Sequence, residues 1–285
     1  MTPVMHPLIQ AETLCSMQDD KHLVVIHAGF GETAYANYLK KHLKGTRFVE
    51  LNTDLSDIKE NAAQGGRHPL PAVQAFARRV ARLGITAQSH VVVYDENKGA
   101  NAAARFWWML KALGHQKVQV LDGGPEEAEQ AGFPTDTNIP EVQPATAYTT
   151  EQWLLPTASL DEVTRASEKN TVTIIDVREP QRYQGITEPI DLIAGHIPGA
   201  INKPYQHNLN THGRFKEASE LRKMYQEFTA DTTLVHCGSG VTACHTLLAF
   251  AVAGLPIPKL YVGSWSEWSR NNKPMATGTH SKGTS

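Results

Sequence analysis

The sequence contains little cysteine: only Cys15, Cys237 and Cys244 occur among its 285 residues. So few cysteines exclude a disulfide framework and favour a reducing compartment. The formal net charge of -2 gives no sign of a nucleic-acid or membrane surface. No apolar run approaches the roughly 20 residues that a membrane-spanning helix needs, and residues 1–10 lack the regions of a signal peptide. We therefore expect a cytoplasmic protein with no nucleic-acid and no membrane partner.

One stretch stands out because it combines an apolar strand with a glycine-rich loop. The strand ends at Cys237, and Gly238, Ser239 and Gly240 follow before an apolar helical segment begins at Ala243. The glycines let backbone N–H groups point inward, and the helix adds its positive end, so a thiol placed there has a lowered pKa. We interpret Cys237 as a nucleophilic thiolate. The alternative is a small buried core residue, which does not account for the Gly-x-Gly pattern.

The two halves of the chain look like a diverged duplication. Asp95 ends the strongest strand of the first half, as Cys237 ends its counterpart in the second. Later glycines keep the same order with a constant offset of two residues: Gly114 and Gly123 against Gly254 and Gly263. Strands alternate with helices in each half, which predicts an α/β protein with two tandem domains, each a mostly parallel sheet with helices on both faces. We place an N-terminal domain without the nucleophile at residues 1–137, a linker at 138–150 and a catalytic domain at 151–285.

Motifs in both halves resemble those of two-domain rhodanese-type sulfurtransferases, most closely the 3-mercaptopyruvate sulfurtransferases. The stretches that match family signatures are 237–242, 195–200, 263–268, 106–108 and 121–124. The resemblance implies two rhodanese-like domains and a sulfur transfer in two steps. The Cys237 thiolate takes the sulfur of mercaptopyruvate and becomes a persulfide, while pyruvate leaves as its enolate. A thiol such as thioredoxin or glutathione, or cyanide, then accepts the sulfur, and no metal or other cofactor is implied.

The same resemblance assigns roles around the nucleophile. Ser239 is expected to orient the substrate carbonyl or help to protonate the enolate, unless it merely caps the loop. Arg178 is expected to bind the substrate carboxylate with its planar fork, and Arg182 to add a second contact. For Arg178 the alternatives are a solvated side chain or a structural pair with Asp176. The remaining loop residues expected to contact substrate are Gly238, Gly240, Val241 and Thr242.

Other candidates are interpreted as structural. His236 adjoins Cys237 on a strand, so its side chain should point to the opposite face and be packed. His196 is expected to hold the backbone of its turn. Cys244 is expected in the core, a redox pair with Cys237 being the less favoured alternative.

The first half departs from the family pattern. Its first strand region reads Ile-His-Ala-Gly-Phe over residues 26–30, where the family has Asp-Ala-Ser-Trp. His42 falls where the family has a histidine, but the acidic and arginine positions near it are replaced around Glu32 and Thr33. This departure weakens the expectation of a proton relay from the first domain to Ser239.

Three alternative functions remain open. A thiosulfate sulfurtransferase of the same fold is one, although the neutral Gly238 and Ser239 suit a monoanionic keto acid better than a dianion. A cysteine phosphatase is another, but such enzymes need an arginine six residues after the cysteine, where Ala243 stands. The third is a sulfur-relay or binding module with weak activity on small molecules.

Overall fold

The computed structural model describes residues 5–169 and 171–279. The prediction that no signal peptide is present concerned residues 1–10, of which residues 1–4 lie outside the described range. The chain forms two compact units. Unit 1 consists of Met1–Asp57, Pro71–Leu155 and Leu209–Lys216. Unit 2 consists of Ile58–Leu70, Pro156–Asn208 and Glu217–Ser285.

These units differ from the predicted domains in where irregular segments belong. Residues 58–70 precede the predicted linker yet belong to unit 2, and residues 209–216 belong to unit 1. The predicted linker belongs to unit 1, where the Ala145 N–H donates to the Ala81 carbonyl at 2.8 Å. Periodicity reveals helices and strands, and segments that have none do not show in the sequence which unit they join. The boundaries at 137 and 150 stay a prediction.

Unit 1 is built on a five-stranded parallel sheet of order β1-β6-β5-β2-β4. A separate antiparallel pair joins β3 to β7. The strands are Leu8–Ile9 (β1), Leu23–Gly29 (β2), His42–Leu43 (β3), Arg47–Glu50 (β4), His90–Tyr94 (β5), Val118–Leu121 (β6) and Thr135–Asp136 (β7). The helices are Ala11–Ser16 (α1), Ala34–Lys40 (α2), Leu51–Asp54 (α3), Val73–Arg82 (α4), Ala102–Ala112 (α5) and Pro125–Gln130 (α6).

Local sequence explains most of these elements. The central strand β5 carries three consecutive valines, which are buried on both faces as parallel sheets require. Helix α4 buries one apolar stripe that includes Val73, Phe76 and Val80. Helix α2 ends at Lys40, because Leu43 pairs with Thr135 in an antiparallel bridge that the local pattern does not show.

Unit 2 has the same architecture, with a five-stranded parallel sheet of order β10-β9-β11-β12-β8. Its strands are Thr157–Ala158 (β8), Thr173–Asp176 (β9), Ile201–Asn202 (β10), Thr233–His236 (β11) and Lys259–Tyr261 (β12). Its helices are Leu160–Lys169 (α7), Pro180–Tyr183 (α8), Ala218–Tyr225 (α9), Ala243–Val252 (α10) and Ser264–Trp268 (α11). Two 3₁₀ turns span Tyr205–Asn208 and Ala230–Thr232.

Strand order and register establish the duplication. Read from the opposite edge, the sheet of unit 2 repeats the order of unit 1, so β9 and β11 correspond to β2 and β5. His27 lies opposite Tyr94 in the first sheet, and Asp176 lies opposite His236 in the second. This register aligns Asp95 with Cys237, as the glycine spacing predicts. Two tandem α/β units with mostly parallel sheets are therefore confirmed.

The cores of both units are apolar and aromatic, and the four tryptophans at positions 107, 108, 265 and 268 are all fully buried. Among the described residues, none of the helices combines the length and the hydrophobicity that crossing a bilayer demands.

Candidate active site

The Cys237 loop lies at the carboxyl end of the central strand β11. Its tight path requires glycine at one position: Gly240 has φ +73°, and a Cβ there would lie 2.4 Å from the Val262 carbonyl oxygen. The ten-residue helix α10 begins at Ala243, so its positive end faces the loop. Strand, loop and helix thus follow as predicted, and Cys237 is 3% exposed.

Backbone bonds to α11 fix this loop. The Cys237 N–H donates to the Ser264 hydroxyl oxygen at 3.2 Å, and the Ser264 hydroxyl donates to the Tyr261 carbonyl at 2.9 Å. In return, the Trp265 N–H donates to the Cys237 carbonyl at 3.1 Å and the Ser266 N–H to the Gly238 carbonyl at 2.9 Å. The loop is therefore held from both sides of its backbone before any substrate arrives.

A histidine that sequence reasoning missed pairs with Ser239. Nδ1 of His68 lies 2.8 Å from the Ser239 hydroxyl oxygen, and both side chains are buried. His68 belongs to the segment 58–70 of unit 2. Polar residues and turn formers mark this stretch only as a loop, and the available signal was an Arg-His pair within an otherwise small and neutral run, residues 61–71.

Segment 58–70 is tied to α11 and to the turn that follows it by three hydrogen bonds. The Gly65 N–H donates to a Glu267 carboxylate oxygen at 2.8 Å, and the Arg67 N–H donates to the Ser266 hydroxyl at 3.0 Å. The Asn271 amide donates to the Ala63 carbonyl at 2.9 Å. Because α11 also anchors the Cys237 loop, these bonds fix His68 relative to Ser239.

Three arginines, here called the arginine cluster, surround the carboxylate of Asp191. Arg67 reaches it at 3.1 Å, Arg182 at 3.3 Å and Arg270 at 3.1 Å. The carboxylate is fully buried, whereas the arginine side chains stay between 12% and 25% exposed. Arg182 also pairs with the Glu188 carboxylate, so three cations meet two buried carboxylates, which leaves this side of the site positive by one charge. Each arginine side chain stays partly exposed.

Two members of the cluster border the loop. A Cβ built on Gly238 would lie 3.0 Å from Nη2 of Arg67 and 3.3 Å from Nη2 of Arg182. The loop sequence is neutral, as noted, but arginines from elsewhere in unit 2 supply positive charge beside it. The argument from a neutral loop against thiosulfate is therefore weaker than the sequence suggested.

Arg178 does not share this position. Its guanidinium donates to the Asp176 carboxylate, with Nη2 at 2.6 Å, and to the Gly195 carbonyl at 2.7 Å. It also lies over the Trp265 ring, 4.8 Å from its centroid, and is only 2% exposed. The geometry favours the structural pair with Asp176, so the expected carboxylate contact at Arg178 gains no support. A local Asp-x-Arg pattern fits both outcomes, and burial separates them.

Glu188 joins the two arginine environments. Its carboxylate accepts from Arg182 at 2.7 Å and from Arg178 at 3.3 Å. Burial disfavours the charged form, yet hydrogen bonds from Arg182 and from backbone N–H groups hold the pKa of Glu188 below its usual range. Arg182 is therefore oriented by carboxylates while remaining partly exposed.

The residues interpreted as structural are buried, although His196 bonds a carbonyl outside its own turn. His236 is fully buried, with Nε2 3.7 Å from the Asp176 carboxylate, and burial lowers its pKa. His196 bonds the Tyr183 carbonyl at 2.7 Å and stacks on the Tyr183 ring. The Cys244 thiol is buried and donates to the Gly240 carbonyl at 3.4 Å.

Val241 and Thr242 lie where the loop enters α10. Val241 is buried, and its carbonyl accepts the Cys244 N–H at 2.9 Å. The Thr242 carbonyl accepts the His245 N–H at 3.0 Å. Their carbonyls thus belong to the first turn of the helix, which leaves the backbone N–H side as the one available for substrate.

The loop equivalent to the Cys237 loop in unit 1 already holds an anion of its own. The Asp95 carboxylate accepts N–H groups of residues 97, 99, 101 and 103 at 2.8–3.2 Å. Burial nevertheless raises the pKa of Asp95. The register thus places Cys237 in the same architectural position as a carboxylate cradled by four backbone donors.

Within residues 5–169 and 171–279, no group of three or more histidine, cysteine or acidic side chains is arranged to hold a metal ion.

The Cys237 loop lies at the carboxyl end of the central strand of a parallel sheet, in the second of two similar α/β units. This arrangement defines a class of two-domain α/β protein, and the sequence comparison agrees with it. The rhodanese-like domain model matches residues 10–131 and 159–271, so the chain belongs to the rhodanese family.

Relatives that are similar over nearly the whole chain narrow the class. The probable 3-mercaptopyruvate sulfurtransferase of Pseudomonas aeruginosa is 36% identical, covering 95% of this chain and 98% of that one. The putative thiosulfate sulfurtransferase SseB of Mycobacterium tuberculosis is 38% identical over 86% of each chain. The crystal structure of SseA from Escherichia coli, described as a 3-mercaptopyruvate sulfotransferase, has a TM-score of 0.78 and 31% identity, covering 92% of this chain and all of that one.

Proposed function

We propose that this protein is a sulfurtransferase that moves sulfur from 3-mercaptopyruvate to a thiol or cyanide through a persulfide on Cys237. The observation that carries the proposal is Cys237 at the end of β11, in a fixed loop beside the Ser239–His68 pair and the arginine cluster. The names of similar proteins support the same donor.

The first half-reaction proceeds at the donor sulfur. The Cys237 thiolate forms an S–S bond, the C–S bond of mercaptopyruvate breaks, and its electron pair becomes the enolate of pyruvate. The enolate takes a proton at carbon from the Ser239 hydroxyl. His68 can supply that hydroxyl with a new proton, because its Nδ1 lies 2.8 Å away. The outer persulfide sulfur loses its proton and remains as an anion facing the loop and the positive end of α10.

The second half-reaction regenerates the enzyme. A thiolate such as that of thioredoxin or glutathione, or cyanide, attacks the outer sulfur, and the S–S electron pair returns to Cys237. No step requires a metal or a bound cofactor. We place this chemistry in the cytoplasm, where such thiols are reduced.

Carboxylate recognition is assigned to Arg182 and Arg67 rather than Arg178. Their Nη2 atoms border Gly238, one residue from the nucleophile, and both side chains are partly exposed. A planar guanidinium matches a carboxylate with two parallel hydrogen bonds.

A thiosulfate sulfurtransferase is the second candidate function. Two observations favour it: the arginines beside Gly238 suit a dianion, and similar proteins include putative thiosulfate sulfurtransferases. The Ser239–His68 pair favours mercaptopyruvate, because thiosulfate transfer forms no enolate and needs no proton donor.

Intact-mass measurement after donor treatment tests the proposal. We expect one added sulfur from 3-mercaptopyruvate in the wild-type chain and in Cys244→Ala and Cys15→Ala, and none in Cys237→Ala. Pyruvate should appear in equal amount. Loading from thiosulfate alone would replace the donor, and loading that survives Cys237→Ala would overturn the nucleophile. Loading from neither donor, with loading by a persulfidated protein, would establish a relay module.

A further inference from the structure

Unit 1 contains a cavity of about 180 Å³ at the carboxyl edge of its sheet. Its lining includes His27 from β2, Tyr94 from β5 and Pro125 from α6. At ~30 Å³ per water in the liquid, this volume holds roughly six waters or one small organic molecule.

The duplication shows what the same place contains in unit 2. His27 and Tyr94 are register partners on the neighbouring strands β2 and β5, as Asp176 and His236 are on β9 and β11. Counting onward along the strands, Gly29 corresponds to Arg178. No arginine stands at this position in unit 1, where the Phe48 ring packs directly against Gly29, 2.6 Å from the place of a Cβ. The cavity begins beyond that ring, beside His27 and Pro125.

The large side chain that packs against Arg178 in unit 2 is also missing from unit 1. In unit 2 the Arg178 guanidinium pairs with Asp176 and lies over the ring of Trp265. The register of β6 and β12 places Pro125 of unit 1 where Trp265 stands in unit 2. Unit 1 thus lacks the counterparts of Arg178 and Trp265. Its cavity lies where unit 2 packs the Arg178 guanidinium.

His27 is a buried polar group directed at this cavity. It is 3% exposed, and among the described residues neither ring nitrogen has a hydrogen-bond partner. Nε2 lies 3.7 Å from a Glu96 carboxylate oxygen. Burial, with a smaller contribution from His42, lowers the pKa of His27 to about 4, so the ring is neutral near pH 7 and offers one acceptor nitrogen.

The charge of the lining favours a cation. Glu96, Glu126 and Glu129 contribute three carboxylates, whereas Lys41 contributes one ammonium, which is bonded to Glu129 at 2.5 Å. The Tyr94 ring stacks on His27 with centroids 4.8 Å apart, and aromatic faces attract cations.

We propose that this cavity is a binding site for a small organic cation of the guanidinium type, held where Arg178 places its own guanidinium in unit 2. The acceptor nitrogen of His27 and the Glu96 carboxylate bind its N–H groups. Neutral molecules of the same shape lack the charge and bind weakly. The site stands apart from the sulfur chemistry proposed above and does not depend on it.

Nuclear magnetic resonance of the full-length protein, labelled at histidine, tests the proposal directly. Methylguanidinium chloride is the probe and N-methylurea its neutral control, both below about 50 mM, far from the molar range that unfolds proteins. We expect a saturable shift of the His27 ring signals with methylguanidinium and none with N-methylurea.

Two variants locate the binding. Pro125→Trp introduces the side chain that unit 2 has at this place and should abolish the saturable shift. The paired change Glu96→Gln and Glu126→Gln preserves shape and should weaken binding by about three- to tenfold. Thermal unfolding checks that each variant is folded, and the paired glutamine variant decides if Pro125→Trp is not. No saturable shift, an equal shift with N-methylurea, or binding unchanged in the glutamine variant overturns the proposal.

Discussion

The Ser239 hydroxyl and the His68 ring are two groups from distant parts of the sequence that form one hydrogen-bonded pair. Their distance of 2.8 Å lets a proton pass between them without rearrangement. If they act as a unit on the enolate, removing either should remove most of the benefit of both.

We predict that Ser239→Ala and His68→Asn each lower kcat with 3-mercaptopyruvate by about 10²–10³-fold, and that the double variant is little worse than either. Steady-state kinetics of pyruvate release gives the four values. Effects that multiply in the double variant would show that the two residues act separately. Turnover of thiosulfate, which forms no enolate, serves as the control reaction.

Arg178 and Arg182 illustrate the same residue type with two different surroundings. Arg178 is sealed between Asp176 and Trp265, whereas Arg182 keeps 12% of its side chain exposed beside Gly238. Lysine retains the charge but loses the planar fork at either position.

We predict that Arg182→Lys raises KM for 3-mercaptopyruvate by about five- to twentyfold, with a smaller loss of stability than Arg178→Lys because Arg67 and Arg270 still pair with Asp191. Arg178→Lys should instead lower the free energy of unfolding by up to about 3 kcal/mol, because a buried carboxylate loses bonds. Denaturant unfolding and KM measured on both proteins separate the roles. A raised KM in Arg178→Lys at unchanged stability would return the carboxylate contact to Arg178.

At the scale of elements, helix α10 is buried on nearly all sides and carries one basic residue, His245. His245 is fully buried and accepts a bond from the Asn208 amide at 3.2 Å. Burial lowers its pKa to about 3. The unfolded chain, with a histidine pKa near 6.5, takes up this proton first as pH falls. Stability is therefore complete above about pH 6.5 and declines as pH drops toward 3.

We predict that acidification from pH 6.5 to pH 5 costs about 2 kcal/mol of unfolding free energy through His245 alone. His245→Gln, which keeps a hydrogen-bond acceptor for Asn208 but cannot titrate, should flatten the pH dependence over this window while lowering stability at pH 7. Urea unfolding at several pH values measures both. An unchanged slope in the variant would contradict the assignment.

At the scale of the whole molecule, the chain is divided by packing rather than at its midpoint. Segment 58–70, which carries Arg67 and His68, belongs to unit 2 through its bonds to Glu267, Ser266 and Asn271. The proposed site therefore needs residues that a cut near residue 150 removes.

We predict that a fragment of residues 151–285 loads sulfur on Cys237 at least about 10²-fold more slowly than the full chain, because it lacks His68 and Arg67. Its thermal unfolding should also occur at a lower temperature. Timed intact-mass measurement gives the rate, with full-length His68→Asn as the matched control. A fragment as fast as the wild-type chain would show that segment 58–70 has no part in the reaction.

Much of this protein follows from local sequence alone. Consecutive valines in β5, the apolar stripe of α4 and the Gly-x-Gly after Cys237 predict their own structures, because each depends on neighbours within a few residues. Glycine spacing also reveals the duplication and aligns Asp95 with Cys237 as the strand register does. Two-residue strands such as β1 and β3 give no local signal of this kind, since their pairing partners lie far along the chain.

The sequence by itself determined the fold class, the duplication and the position of the candidate nucleophile, because periodicity and turn chemistry are local properties. Only the tertiary structure decided which residues accompany it. His68 lies 171 residues before Ser239 in the sequence, and Arg67 comes from the same irregular segment. Arg178 is buried against Asp176 and is not open to a substrate. Such outcomes depend on packing between distant segments, and packing sets which side chains stay open to a substrate.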